Sequence, residues 1–367
     1  MALSKIQTVE NQVVPNLGRR NLIINGAMQV AQRGTSQTGQ GTSGYKTVDR
    51  FRHSESSLGT ALFTHAQATD APDGFANSLK LTTTTIQPSV AADDRFSITY
   101  AIEGQDLQHL QYGTSSAKKV TLSFYVKSSL TGTYSVAFYA TNASNRLITS
   151  TYTINSSNTW ELKTITFDGD TSVAFTNDNT AGLTIYFNLG AGSDMTSTDS
   201  TSWIDYNLAG FAYGQTAQFQ NTLNATWQIT GVQLEVGQTA TPFEHRSFGE
   251  DLAACQRYFQ KSYDYGAAIG TNTTRSAMFH RHPDAVTNRT PTITFPVEMR
   301  AETTTVVYSL IGTAAAASDC NTGFTHSSDI TSTTFSGSDG THGLSRIGLG
   351  TATDNIIGFH YTADAEL

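Results

Sequence analysis

Two cysteines in 367 residues, Cys255 and Cys320, are too few and too far apart for a disulfide framework, so reduced and buried thiols are expected. Charge is scarce too. Asp, Glu, Lys and Arg make up 14% of the chain, and the net charge of −8 leaves no basic stripe for a phosphate backbone. That argues against a nucleic-acid partner. Lys118-Lys119 and Arg19-Arg20 are isolated pairs that read as solvated surface. No apolar run approaches the roughly 20 residues of a membrane-spanning helix. The opening MALSKIQTVENQVV lacks an apolar h-region, so the chain is expected to be made and folded in a cytoplasm. Work outside a cell would then require release by a route other than secretion. A repeat of roughly 20–50 residues is missing, which disfavours a propeller or β-helix. Missing as well are a Ser-His-Asp pattern, a nucleophile elbow and a phosphate-cradling glycine loop.

What is present is short apolar runs separated by Thr, Ser, Asn and Gly, the texture of an all-β protein with a hydroxyl- and amide-rich surface. In VTLSFYVKS the residues Val120, Leu122, Phe124 and Val126 share one face, with polar side chains opposite. YSVAFYA repeats this with Val136 and Phe138, and LTIYFNL with Leu183, Ile185, Phe187 and Leu189. Period two with one polar face predicts antiparallel sheets half open to solvent. ALFTHAQ, SLKLTTTT, RFSITYAI, RLITSTYTI and ELKTITF add further strands, and the set predicts an antiparallel β-sandwich, most simply a jelly roll. The length allows two domains, each with its own core.

Residues 1–20 form a polar arm, either disordered or ordered only against a partner. Asn25-Gly26 is a tight-turn dipeptide after Leu22-Ile23-Ile24. Between Gly190 and Asn224 runs a long Gly/Ser/Thr-rich excursion carrying Trp203, Tyr206, Phe211 and Tyr213. Its aromatics could stack on sugar rings or anchor the loop to its own sheet. Trp227 and Ile229 fall on odd positions whereas Val232, Leu234 and Val236 fall on even ones, so Gly231 marks a β-bulge. Thr241-Pro242 ends the strand. Ser247 and Glu250 have capping-box spacing, and Phe248, Leu252, Cys255 and Phe259 form the stripe of a helix. That stripe could dock on the sandwich or meet two further copies along a trimer axis.

NLIINGAM, Asp49-Arg50-Phe51, VTLSFYVKSS and above all ITGVQLEVGQTATPFEHRSFGEDLAACQRYFQKS resemble a family of tail-fibre and related virion proteins of tailed bacteriophages and prophages. FPVEMRAETTTVVYS and GFHYTADAEL are similar to the C-terminal module that accompanies them. The resemblance implies a carbohydrate-binding-module-like jelly roll followed by a small β domain, in a usually trimeric virion appendage without catalytic residues.

The expected organisation is therefore an arm at 1–20 that docks on other tail proteins, a jelly roll at 21–246, a helical neck at 247–263 and a β-rich tip at 264–367. The expected role is noncatalytic adhesion of a homotrimeric tail fibre to a host glycan or receptor, with no cofactor and no membrane insertion. A structural or decorating tail or head component is the alternative, and a glycan depolymerase a third. Asp93 with Asp94 and Glu103 with Asp106 supply acids, but in turn-like contexts close in sequence. At the tip, Phe279, His280 and His282 are contact candidates. His280 and His282 could also share a metal across a trimer axis, although packed or solvated histidines account for a lone H-x-H as well. Asp168-Gly169-Asp170 and Asn177-Asp178-Asn179 read as turns before calcium ligands.

Overall fold

A computed structural model describes residues 19–281, 292–331, 334–335, 340–344, 347–348 and 356–367. Thirteen strands build an antiparallel sandwich: β1 Ser36–Gln40, β2 Gly44–Tyr45, β3 Arg52–Ser56, β4 Leu62–Ala68, β5 Ser78–Thr85, β6 Arg95–Glu103, β7 Val120–Ser128, β8 Gly132–Ala140, β9 Arg146–Ile154, β10 Glu161–Phe167, β11 Ala181–Ala191, β12 Ile204–Asp205 and β13 Thr226–Val236. One sheet has the order β1-β4-β5-β13-β7-β10, the other β12-β9-β8-β11-β6-β3-β2. From β5 onward the chain changes sheets at most connections, as in a jelly roll.

The alternation places Val120, Leu122, Phe124 and Val126 opposite Leu183, Ile185, Phe187 and Leu189, all inaccessible to solvent. Trp227 fills the centre, its Nε1 donating to the Tyr152 hydroxyl at 3.4 Å. The bulge is where the phase slip puts it. The β13–β7 register shifts between Thr230 and Gln233, and Gly231 has φ +61°. The shift keeps Trp227, Ile229, Val232 and Leu234 all inside, while Val236, expected on the same face, is 38% exposed at the strand's end. Gly26 packs into the bulge from the other side and accepts a hydrogen bond from Val232 N at 2.9 Å. A Cβ on Gly26 would stand 2.1 Å from Val232 O, so only glycine fits there.

Helix α1 spans Phe248–Gln256 and carries the full capping box, with Glu250 N donating to Ser247 Oγ and Ser247 N to Glu250 Oε2. The helix is shorter than the expected 247–263. Phe259–Lys261 is strand β14, drawn out of helical conformation by pairing with a strand about a hundred residues further along. The remaining strands are β15 Met278–Arg281, β16 Ile293–Thr294, β17 Thr304–Tyr308, β18 Ala317–Cys320, β19 His326–Ile330, β20 Thr334–Phe335, β21 Gly343–Leu344, β22 Ile347–Gly348 and β23 Ile356–Asp364. Strand β23 is central, pairing with β14 and β15 and with β17 and β18. Val307, Phe359, Tyr361 and Met299 belong to this module's own core.

The small module is clamped to the sandwich by buried charge. Arg50 is wholly inaccessible, ion-pairs with Glu366, donates to Ala101 O at 2.7 Å and lies 3.4 Å from the Tyr258 ring centre. Arg257 grips Glu103 through two bonds of 2.9 Å, and the Tyr258 hydroxyl donates to the same carboxylate at 2.6 Å. Arg33 pairs with Asp364 at 2.9 Å and covers the Phe259 ring at 3.7 Å. Asp49 accepts from Gln32 Nε2 at 2.6 Å, and burial pushes its carboxyl up to about 6. Asp49-Arg50-Phe51 is thus the centre of the junction.

Candidate functional site

The outer face of the seven-stranded sheet is where side chains converge without being sealed. Its polar positions alternate with the core ones, so Tyr139 on β8, Thr184 and Tyr186 on β11, Arg95 and Thr99 on β6 and Arg52 on β3 all point outward. The excursion covers one end of this face. Thr149 Oγ1 donates to Gly210 O, Asn188 Nδ2 to Phe211 O and Ser135 N to Gln215 Oε1. Met195, Phe211 and Ala212 pack there on Ala137, Leu147 and Ala191. The small module covers the other end, where Arg257 and Tyr258 hold Glu103. Between them lies a strip in which Tyr139, Tyr186, Arg95 and Arg52 are half-buried and Tyr206 is 39% exposed.

The rings hold each other in place. Tyr206 lies 5.0 Å from Tyr139, and Tyr139 6.5 Å from Tyr186. Tyr186 stands edge-on to Phe211 at 4.6 Å. The Tyr139 hydroxyl donates to Asn145 Oδ1 at 2.7 Å, and Tyr206 N donates to Asn145 O at 2.7 Å, so one turn orients two of the three tyrosines. The Arg95 guanidinium sits 4.9 Å from the Phe211 ring centre and 5.8 Å from that of Tyr186. Burial pushes the Tyr186 hydroxyl up, opposed by Arg95 and then Arg52. The result is a rigid aromatic platform rimmed by cations, with hydroxyl and guanidinium donors at its surface. Such a surface can stack on pyranose faces and hydrogen-bond their hydroxyls.

Of the residues singled out in sequence, Tyr206 belongs to this platform. Phe211 does not offer a face, which is a correction: it is 1% exposed and serves as the excursion's anchor, because an aromatic in a long polar loop needs apolar cover. Trp203 donates from Nε1 to Asp168 O at 2.6 Å and leans edge-on against Tyr112, so it ties the loop's base to the main core. Tyr213 is half-buried. Phe279 is 36% exposed on the small module and meets Phe324 edge-on at 5.2 Å. His280 is half-buried on β15, paired with Ile357, while His282 lies outside the described residues. In the expected neck, Cys255 and Phe259 are inaccessible within this one chain, Leu252 is half-buried and Phe248 is 41% exposed.

Three of the four acids weighed for hydrolysis are held by neighbours, Asp93 by the Ser57 hydroxyl at 2.8 Å. Glu103 is inaccessible and held by Arg257 and Tyr258, and Asp94 accepts from Ala91 N at 2.7 Å and from Gln87. Asp170 is buried against Arg146 at 2.8 Å. A second aromatic group, Phe75, Tyr125, Phe243 and His245, lies on the opposite sheet beside the bulge. Its rings face one another and bind the segment after Pro242 to the sandwich. Sequence reasoning missed Tyr139, Tyr186, Arg52 and Arg95. The alternation of YSVAFYA and LTIYFNL already put both tyrosines on the outer face, but not on the part left open.

No family model matches the chain, and no curated protein matches it. Among solved structures it is similar to the enzymatically active domain of bacteriophage CBA120 tailspike protein 4, with 12% identity and a TM-score of 0.32 over 59% of this chain and 22% of that one. A putative sugar binding protein from Bacteroides thetaiotaomicron matches with 12% identity and a TM-score of 0.33, over 59% of this chain and all of that one. The family 11 carbohydrate-binding module of a Clostridium thermocellum cellulase follows with 11% identity and a TM-score of 0.28, over 55% of this chain and all of its own. The chain spans less than a quarter of the tailspike domain's length.

Proposed function

We propose that this chain is a noncatalytic adhesin of a bacteriophage virion, most specifically part of a tail fibre, that binds a host-surface saccharide on the outer face of its seven-stranded sheet. The observation that carries the reading is the platform: Tyr139 lies 5.0 Å from Tyr206 and 6.5 Å from Tyr186, with Tyr139 and Tyr186 on strands, Tyr206 on the excursion and Arg95 beside Tyr186. The virion context comes from the resemblance of the junction motif to tail-fibre proteins. A single contact of this kind is weak, and several copies on one particle would multiply it through effective concentration. Assembly as a homotrimer and docking through residues 1–20 belong to the same proposal. The exposed side of the helix, Phe248 with Leu252, is the part of the stripe available to such an assembly.

The test is saturable binding of the purified chain to an array of bacterial surface polysaccharides. Binding to a defined saccharide without release of reducing ends supports the reading. Release of reducing ends would replace it with a depolymerase, and binding to no saccharide would return the chain to a structural or decorating role.

A further inference from the structure

The arginines of this chain are mostly spoken for. Arg33, Arg50, Arg146 and Arg257 each hold a carboxylate within 4 Å, and Arg300 donates to three backbone carbonyls. Arg52 and Arg95 differ. Both are half-buried on the platform, and among the described residues neither guanidinium has a carboxylate within ion-pair distance. The Arg95 Nε is buried without a hydrogen-bond partner. Arg52 lies opposite Thr99 in the β3–β6 register, and Thr99 lies opposite Tyr186 in the β6–β11 register, so Arg52 is two strands from Tyr186 in the same row. Lys46 adds a third cation beside Arg52, with Glu55 as the nearby opposing acid. In a chain of net charge −8, two unpaired guanidiniums flanking one tyrosine are not general surface composition. A half-buried guanidinium is partly stripped of water, and its planar donors suit a carboxylate or sulfate oxygen pair.

We propose that the platform selects saccharides that carry negative charge, with Arg95 and Arg52 receiving a ring carboxylate or sulfate while Tyr186 and Tyr206 stack on the sugar faces. This rests on the glycan-binding reading and narrows it to acidic glycans. The shared chemistry is an anionic substituent on a pyranose, supplied by a hexuronate or by a sulfate ester.

The experiment measures the affinity of the whole chain for a hexuronate polymer, its carboxyl-reduced counterpart and dextran sulfate, with chelator present and salt near 0.15 M, where the Debye length is about 8 Å. Arg95→Gln, Arg52→Gln and Tyr206→Ala are compared after their melting curves have been matched to wild type. The acidic polymer is expected to bind roughly tenfold more tightly than the carboxyl-reduced one. Each Gln variant should lose about that factor on acidic polymer alone, while Tyr206→Ala weakens both. Tighter binding of the hexuronate than of dextran sulfate assigns the anion as a carboxylate, and the reverse assigns it as a sulfate ester. Affinity for the carboxyl-reduced polymer equal to that for both acidic polymers, or Gln variants that bind the preferred acidic polymer like wild type, overturns the inference and leaves glycan binding intact. Binding by none of the three alongside binding of some neutral glycan does the same. Binding of no saccharide at all overturns both.

Discussion

His53 and His65 face each other inside the sandwich, Nδ1 of the first 2.8 Å from Nε2 of the second, with Phe63 and Phe96 stacked beside them at 4.2 Å. A shared hydrogen bond between two imidazoles needs one donor and one acceptor, so at least one ring is neutral, and burial disfavours charge on the other. Burial lowers His53 to about 2 and His65 to about 3, with the His65 charge as the next cause for His53. Both folded values lie below the ordinary 6.5, so the unfolded chain takes up these protons first. The stability they contribute is complete above about pH 6.5 and is lost as pH falls toward 3. Asp49 works the other way, since its raised value of about 6 relieves a cost between about pH 6 and 4. Two histidines outweigh one aspartate. Stability should fall by about 2–3 kcal/mol between pH 7 and 5, and chemical denaturation at the two pH values checks it. His65→Gln should flatten that slope. None of this was visible in RHSES or ALFTHAQ, because the partners are brought together only by the sandwich. Likewise, the outward phase of Tyr139 and Tyr186 could be read from alternation, whereas the missing carboxylates around Arg52 and Arg95 are a nonlocal property.

At the scale of elements, the legible features are the local ones. The bulge and the capping box each need only about ten consecutive residues and are found where their spacing puts them, whereas the strand ends at Val236, short of the expected stop at Thr241-Pro242. Strands β1 and β3 escaped notice because SQTGQ and RHSES have no apolar alternation; neighbours β4 and β6 supply their pairing. Phe259 was assigned to the helix because its strand partner is Asp364, beyond any local window. The bulge gives the element-scale prediction. In Gly231→Ala the new Cβ would meet Phe75 Cζ at 2.8 Å and Tyr125 Cδ2 at 3.1 Å, at a φ that alanine disfavours. The variant should lose about 1–3 kcal/mol in urea denaturation. An unchanged midpoint would mean that Phe75 swings aside and that the ring cluster over the bulge contributes little.

For the molecule as a whole, composition and alternation were enough for an all-β sandwich followed by a helix and a second β module. They did not show how tightly the modules are joined. Charge was scarce in the sequence, yet Arg50, Glu103, Arg257 and Glu366 gather at one junction, each buried or half-buried against the other module. Separating the modules would break both ion pairs together with the packing of Tyr258 on Arg50 and of Phe259 under Arg33. Calorimetry of the whole chain should therefore give one cooperative transition; two well-separated transitions would mean that the junction is loose.

The same junction and the excursion leave open the strip proposed to bind saccharide, so the most direct measurement is the affinity of the whole chain for its best array saccharide, compared between wild type, Tyr186→Ala and Tyr206→Ala with melting curves matched. The platform account predicts a loss on the order of tenfold for each variant. Affinities equal to wild type for both variants, with a loss in Phe279→Ala instead, would place recognition on the small module and contradict it.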